Sequence, residues 1–239
     1  MGVKWNVVTS IPVKHGVLSA FFPPPTRAFH GPLLIVALGA AALVGALSVV
    51  FVLNPILQPD ISIARAIQSI DWGPLALTFP FFAFVGGRGA PYMEAGAVLF
   101  VLLLNRRAWL LALASLAGGL SYFQLVNLVH RPRPTADQII RVTDHPGGNS
   151  FPSGHVIFIT VAVGLLMVAL GQRFLPKWAR GIAWTIAVAI VLVAGISRVY
   201  GGAHWPTDVV GSAVIVTGWL ALVTSVRWIS DRALYKDAA

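Results

Sequence analysis

The sequence predicts an all-α protein: a polytopic membrane helix bundle with six transmembrane helices plus an interfacial helical segment. Three observations predict it. The chain is 57% hydrophobic and 10% charged, against roughly 25% charged residues in ordinary soluble domains, and its mean hydropathy is +0.80. Apolar runs of membrane-crossing length recur along it, about 20 residues sufficing at ~1.5 Å each. Its 17 Lys and Arg residues gather in short loops and termini between those runs, as topology signals do. That placement accounts for the net charge of +9 without nucleic acid, so the lipid bilayer is the expected partner and nucleic acid is not. No polar linker or fixed-period repeat divides the chain, and residues 32 to 239 are read as one domain behind a cytoplasmic N-terminal tail, residues 1 to 31. With no cysteine, there is neither a disulfide framework nor a thiolate metal site. Oligomeric state is not legible.

In order, the tail carries Lys4, Lys14 and Arg27 and a triple-proline break at 23 to 25, and its apolar stretches are too interrupted for a signal peptide. Residues 32 to 53 are the first span, running outward. Between Asn54 and Gly89 the residues Asp60, Arg65 and Asp71 punctuate an amphipathic stretch, and Pro80 with Gly86-Gly87 breaks an apolar run. This reads as the interfacial segment on the outer side; a full span from 73 to 86 is the competing reading and would reverse everything downstream. Residues 90 to 104 form the next span. It contains Glu94, and Arg106-Arg107 end it at the cytoplasmic side. Residues 108 to 129 return outward, 156 to 170 come back to the cationic turn at Arg173, Lys177 and Arg180, 181 to 199 go out, and 206 to 228 come in. Both termini are then cytoplasmic.

Three polar constellations fall at the outer ends of these spans. His130-Arg131-Pro132-Arg133-Pro134 fixes two guanidinium groups beside rigid prolines, which suits a planar oxyanion; a snorkelling interfacial pair is the alternative. Pro152-Ser153-Gly154-His155 stands where a polar loop gives way to an apolar run. Ser153 is the expected N-cap, Gly154 permits close backbone approach, and the free N–H groups of a helix start make an anion site with His155 at its rim. A plain helix cap with an incidental histidine is the alternative. Between Ser197 and Asp208, an Arg, a His and an Asp cluster where two membrane-length segments meet, a functional site by default unless they only cap helices. On a helix, His204 and Asp208, four apart, share a face, where the carboxylate can hold the imidazole, and Arg198 adds a positive fork. Glu94 either serves this site or is wetted in place.

These residues resemble the motifs of the type 2 phosphatidic acid phosphatases, an integral-membrane lipid phosphatase family that shares its site with vanadium haloperoxidases. Of the family's Lys-x6-Arg-Pro, Pro-Ser-Gly-His and Ser-Arg-x5-His-x3-Asp, the second and third are complete here and the first is partial. Counted back from Arg133 the lysine position holds Val126, and from Arg131 it holds Gln124; Arg131, His130 or the amide of Asn127 are the replacements to consider.

The resemblance implies hydrolysis of a lipid phosphomonoester or diphosphate without metal or cofactor. His204 would attack phosphorus and form a phosphohistidine, Asp208 would orient and stabilise its ring, and His155 would protonate the leaving oxygen and then activate water. Arg131, Arg133, Ser153, Gly154 and Arg198 would bind the phosphate. The expected substrates are diacylglycerol-type phosphates, phosphatidylglycerol phosphate or polyprenyl pyrophosphates, met at the outer face of a bacterial inner membrane. A lipid phosphotransferase on the same histidine and a non-catalytic lipid-phosphate binder are the competing readings. The six spans argue against a soluble haloperoxidase.

Overall fold

The computed structural model describes residues 28–144 and 147–234, so the expected tail lies almost wholly outside the described residues. These are helical, with one isolated β-bridge between Phe29 and Val226. Helix α1 is Gly31–Leu53, α2 is Gln58–Ser69, and α3, Phe79–Gly86, follows a 3-10 turn at Gly73–Thr78. Then come α4 (Ala90–Leu104), α5 (Trp109–Ala117) and α6 (Leu120–Val129). Helix α7 (Gly154–Leu166) passes through a π turn into the short α8 (Gln172–Phe174), and α9 (Lys177–Tyr200), α10 (Pro206–Ser225) and α11 (Arg227–Leu234) complete the order.

Among the described residues, five helical stretches are long and apolar enough to cross a membrane, and the pair Gly73–Gly86 and Ala90–Leu104, bent by 81°, makes a sixth when counted as one span. The bend has a length argument behind it. The 15 residues of α4 rise ~22 Å, short of a ~30 Å hydrocarbon core. The interfacial reading of residues 54 to 89 therefore holds for part of that stretch. Helix α2 is amphipathic and buries Asp60, Ala64 and Gln68, spaced by one turn each. Helix α3 instead turns inward against α7 and α9. Its run Phe79-Pro80-Phe81-Phe82-Ala83-Phe84 has no polar face to lay against water.

Lipid is as apolar as a leucine side chain, so close approach of small residues rather than hydrophobic burial holds such helices together. The α1–α10 seam shows it: a Cβ on Gly218 would stand 2.5 Å from the Cβ of Ala40, while Ile35, Leu38, Val52 and Leu53 of α1 remain exposed. The main core, Phe51, Val129, Phe151, Ile157, Val161, Ile215, Val216 and Leu220, joins α1, α7 and α10. At the end bearing Arg106 and Arg107, the Asn105 amide donates to the carbonyls of Ala169 at 3.0 Å and Ala233 at 2.9 Å, tying α4, the π turn and α11 together.

The opposite end carries the polar residues. There Gln68 is fully buried and its side-chain amide is spent on backbone: Nε2 donates to the carbonyls of Arg141, Val199 and Tyr200, and Oε1 accepts the N–H groups of Ile140 and Arg141. One side chain thus pins the loop after α6 to the last turn of α9, because buried backbone groups outside regular structure must find partners.

Candidate active site

The turn between α9 and α10 presents His204. Gly202 lies at φ 73°, and a Cβ there would fall 2.5 Å from the carbonyl oxygen of Arg141, so both the left-handed conformation and the close approach call for glycine. His204 is 3% exposed. Its Nδ1 is 2.7 Å from the carbonyl oxygen of Ser150. A carbonyl only accepts, so the proton sits on Nδ1 and the lone pair on Nε2. Arg133 Nη1 stands 3.3 Å from that Nε2. Burial lowers the pKa of His204 from its ordinary value; Asp208 pulls it up and Arg133 adds to the lowering, and the ring is held neutral near pH 7.

Asp208 does not touch the ring within hydrogen-bond distance, its Oδ2 lying 3.8 Å from Nδ1. It acts through neighbours. Oδ2 accepts the Ser150 hydroxyl and, at 2.9 Å, the Trp205 N–H, so the same carboxylate places both the carbonyl that holds the ring and the start of α10. The helix begins at Pro206, so His204 precedes it rather than sharing its face as the spacing suggests.

Arg131 departs from its expected place at the phosphate. It is fully buried behind Asp208, with Nη1 donating to Asp208 Oδ1 at 2.6 Å and Thr207 Oγ1 at 2.8 Å, Nη2 to Asp60 Oδ2 at 2.5 Å, and Nε to the Pro55 carbonyl at 2.9 Å. Its guanidinium lies 3.9 Å over the Phe51 ring. Asp60 completes the set by accepting Thr207 N–H at 2.9 Å and Oγ1 at 2.6 Å. Asp60 and Ser150 are the two contributors that sequence reasoning missed. The first has its partners 71 and 147 residues away, and the second acts on the ring through its backbone.

The remaining expected residues face the other side of His204. Arg133 is half-buried and donates to the carbonyls of Ala203 at 2.6 Å and of Gly147 and Gly148 at 3.2 Å each. Arg198 is 4% exposed and pairs with Asp144 at 2.9 Å. Ser153 occupies the N-cap position of α7 but makes no capping bond. Its N–H donates to Ser212 Oγ at 2.7 Å, and its buried Oγ has no partner among the described residues. Gly154 opens the helix, where a Cβ would meet the Tyr122 ring at 3.1 Å. His155 sits in the first turn against α3: a Cβ on Gly87 would stand 2.8 Å from its Nε2, and one on Gly86 2.9 Å from its own Cβ. Arg198 and Arg133 lie close enough to bear on it electrostatically. His130 and Asn127 spend their side chains on carbonyls of their own helix, Leu128 and Phe123. Glu94 shares the α4 face of Ala90, Ala97 and Val101, with its Oε1 buried and unpartnered among the described residues.

The family model for the PAP2 superfamily matches residues 106–232. The chain belongs to this family. An undecaprenyl-diphosphatase of Sulfolobus acidocaldarius is 26% identical over 159 residues, 63% of this chain and 68% of that protein. Phosphatidylglycerophosphatase B of Escherichia coli K12 is 37% identical over 91 residues, 36% of this chain and 30% of the relative, so the chain spans under a third of that protein's length in the match. Among solved structures, the transmembrane PAP2-type phosphatidylglycerolphosphate phosphatase of Bacillus subtilis superposes with a TM-score of 0.65 at 22% identity, covering 85% of this chain and 98% of the other. Lipid phosphatase is the activity class of these PAP2 relatives. The fold and the integral-membrane character agree with them.

Proposed function

We propose that this PAP2 protein hydrolyses the phosphomonoester or diphosphate of a membrane lipid through a phosphohistidine on His204. The carrying observation is the Nδ1 hydrogen bond to the Ser150 carbonyl, which leaves the Nε2 lone pair beside Arg133. In the reaction Nε2 attacks phosphorus, the bond to the leaving oxygen breaks, and that oxygen takes its electron pair and a proton from His155. His155 then removes a proton from the water that attacks the phosphohistidine, the acid of one step becoming the base of the next. Arg133, Arg198, the Ser153 hydroxyl and the Gly154 N–H hold the equatorial oxygens, where transition-state charge collects. Asp208 supports the ring at one remove, through Ser150.

The relatives' names support substrates of two kinds, polyprenyl diphosphates and glycerophospholipid phosphates. The basic residues Arg106, Arg107, Arg173, Lys177 and Arg180 lie at the span ends away from His204, which by the positive-inside rule supports a site facing the outside of a bacterial inner membrane, with cytoplasmic termini. The test is phosphate release by detergent-purified protein in EDTA over phosphatidic acid, phosphatidylglycerol phosphate and a polyprenyl diphosphate, beside His204→Ala. Turnover that the variant lacks entirely is expected, with an acid-labile phosphoprotein trapped from wild type alone. Unchanged release by the variant would remove His204 as nucleophile, and silence of the folded wild type would favour transfer or binding.

A further inference from the structure

The turn Gly86-Gly87-Arg88-Gly89 forms one wall of the site. It packs on His155, where Gly87 approaches Nε2 so closely that a Cβ would lie 2.8 Å away. The turn is fixed at both ends, with Gly87 and Gly89 N–H groups donating to the Phe84 carbonyl at 3.1 and 2.8 Å and Ala90 N–H to that of Gly87 at 3.0 Å. Arg88 is exposed. Arg131, Arg133 and Arg198 all have hydrogen-bond or ion-pair partners, whereas Arg88 has none among the described residues. The lysine position of the first motif is filled by Val126, and Arg131 lies behind the nucleophile. The turn packed on His155 therefore carries an exposed cation with no partner among the described residues, next in sequence to the glycine that meets Nε2.

We propose that Arg88 forms an anion subsite on the leaving-group side of the reaction, selecting lipid diphosphates over lipid monophosphates. The inference rests on the reading of His204 as nucleophile and His155 as acid. In a diphosphate, Nε2 bonds to the terminal phosphorus, the bridging oxygen departs with its electron pair and takes the His155 proton, and the phosphate bearing the lipid chain leaves with it. That second phosphate must lie on the His155 side, beside the turn that carries Arg88. A phosphatidic acid leaves an uncharged glycerol oxygen there and gives a guanidinium nothing to bind. Arginine suits the role because its fork matches two phosphate oxygens and stays charged.

The experiment compares wild type, Arg88→Ala and Arg88→Lys on farnesyl diphosphate and dioctanoyl phosphatidic acid, with thermal shifts by inorganic pyrophosphate and by orthophosphate as a readout independent of turnover. Arg88→Ala should lower the ratio of kcat/KM for diphosphate over monophosphate at least tenfold, Arg88→Lys should recover part of it, and the pyrophosphate shift should shrink more than the orthophosphate shift. An unchanged ratio, or equal loss of both thermal shifts, overturns the proposal. No turnover of either substrate by wild type removes the underlying phosphatase reading, and the pyrophosphate shift alone then decides whether Arg88 binds the second phosphate.

Discussion

Arg131 and Arg133 are two residues apart in one motif, yet they stand on different sides of His204 and do different work. Arg131 is on the Nδ1 side, fully buried, its donors engaged by Asp60, Asp208, Thr207 and a backbone carbonyl. Arg133 is on the Nε2 side, half-buried, held by loop carbonyls at up to 3.2 Å. The difference teaches that a guanidinium's role is set by what closes around it. Rigid prolines fix both arginines, but only one of them meets carboxylates, and a cation already neutralised there is poorly placed to receive a phosphate.

Substituting each arginine by alanine should break the pair apart. Arg131→Ala leaves two carboxylates buried without their shared cation and should destabilise the protein by about 3–5 kcal/mol, read as a lowered Tm in detergent. Arg133→Ala should leave the Tm nearly in place and reduce kcat by about 10²–10³-fold, as loss of a transition-state donor does. Equal Tm losses for the two would erase the distinction. A smaller effect is expected at Ser153, whose hydroxyl has no partner among the described residues. Ser153→Ala should cost about tenfold in kcat/KM, as loss of one hydrogen bond to a charged group does, without loss of stability; a clear drop in Tm would make it a structural cap after all.

The smallest effect concerns pH. In the proposed mechanism His204 must be neutral to attack, and burial lowers its pKa from 6.5. The midpoint of protonation therefore lies below that value, and the acid limb of kcat/KM should be centred below pH 6.5. A limb centred above pH 6.5 would show that Asp208 outweighs burial at the ring.

Much of this was legible in the sequence. The spans could be read because lipid demands long apolar runs, and His155, His204, Arg198 and Asp208 because polar groups at span ends are costly without a purpose. Asp60 was visible only as a charge on an amphipathic segment, since nothing local signals a partner 71 residues away. Ser150 was invisible because a backbone carbonyl leaves no residue signature. Gly86 and Gly87 read as a helix break, whereas their lack of side chains lets α3 lie on His155. Arg131 was misplaced because its motif specifies rigidity and charge, not which face the charge meets.

The cluster of Asp60, Arg131 and Asp208 has a further consequence. Its two carboxylates share one guanidinium, so the resting protein stores a single surplus negative charge beneath a neutral imidazole. In the proposed mechanism that imidazole becomes cationic once Nε2 bonds to phosphorus while Nδ1 keeps its proton. The counterion of the covalent intermediate is thus built in before any substrate arrives, and electroneutrality behind the nucleophile is reached midway through turnover rather than at rest.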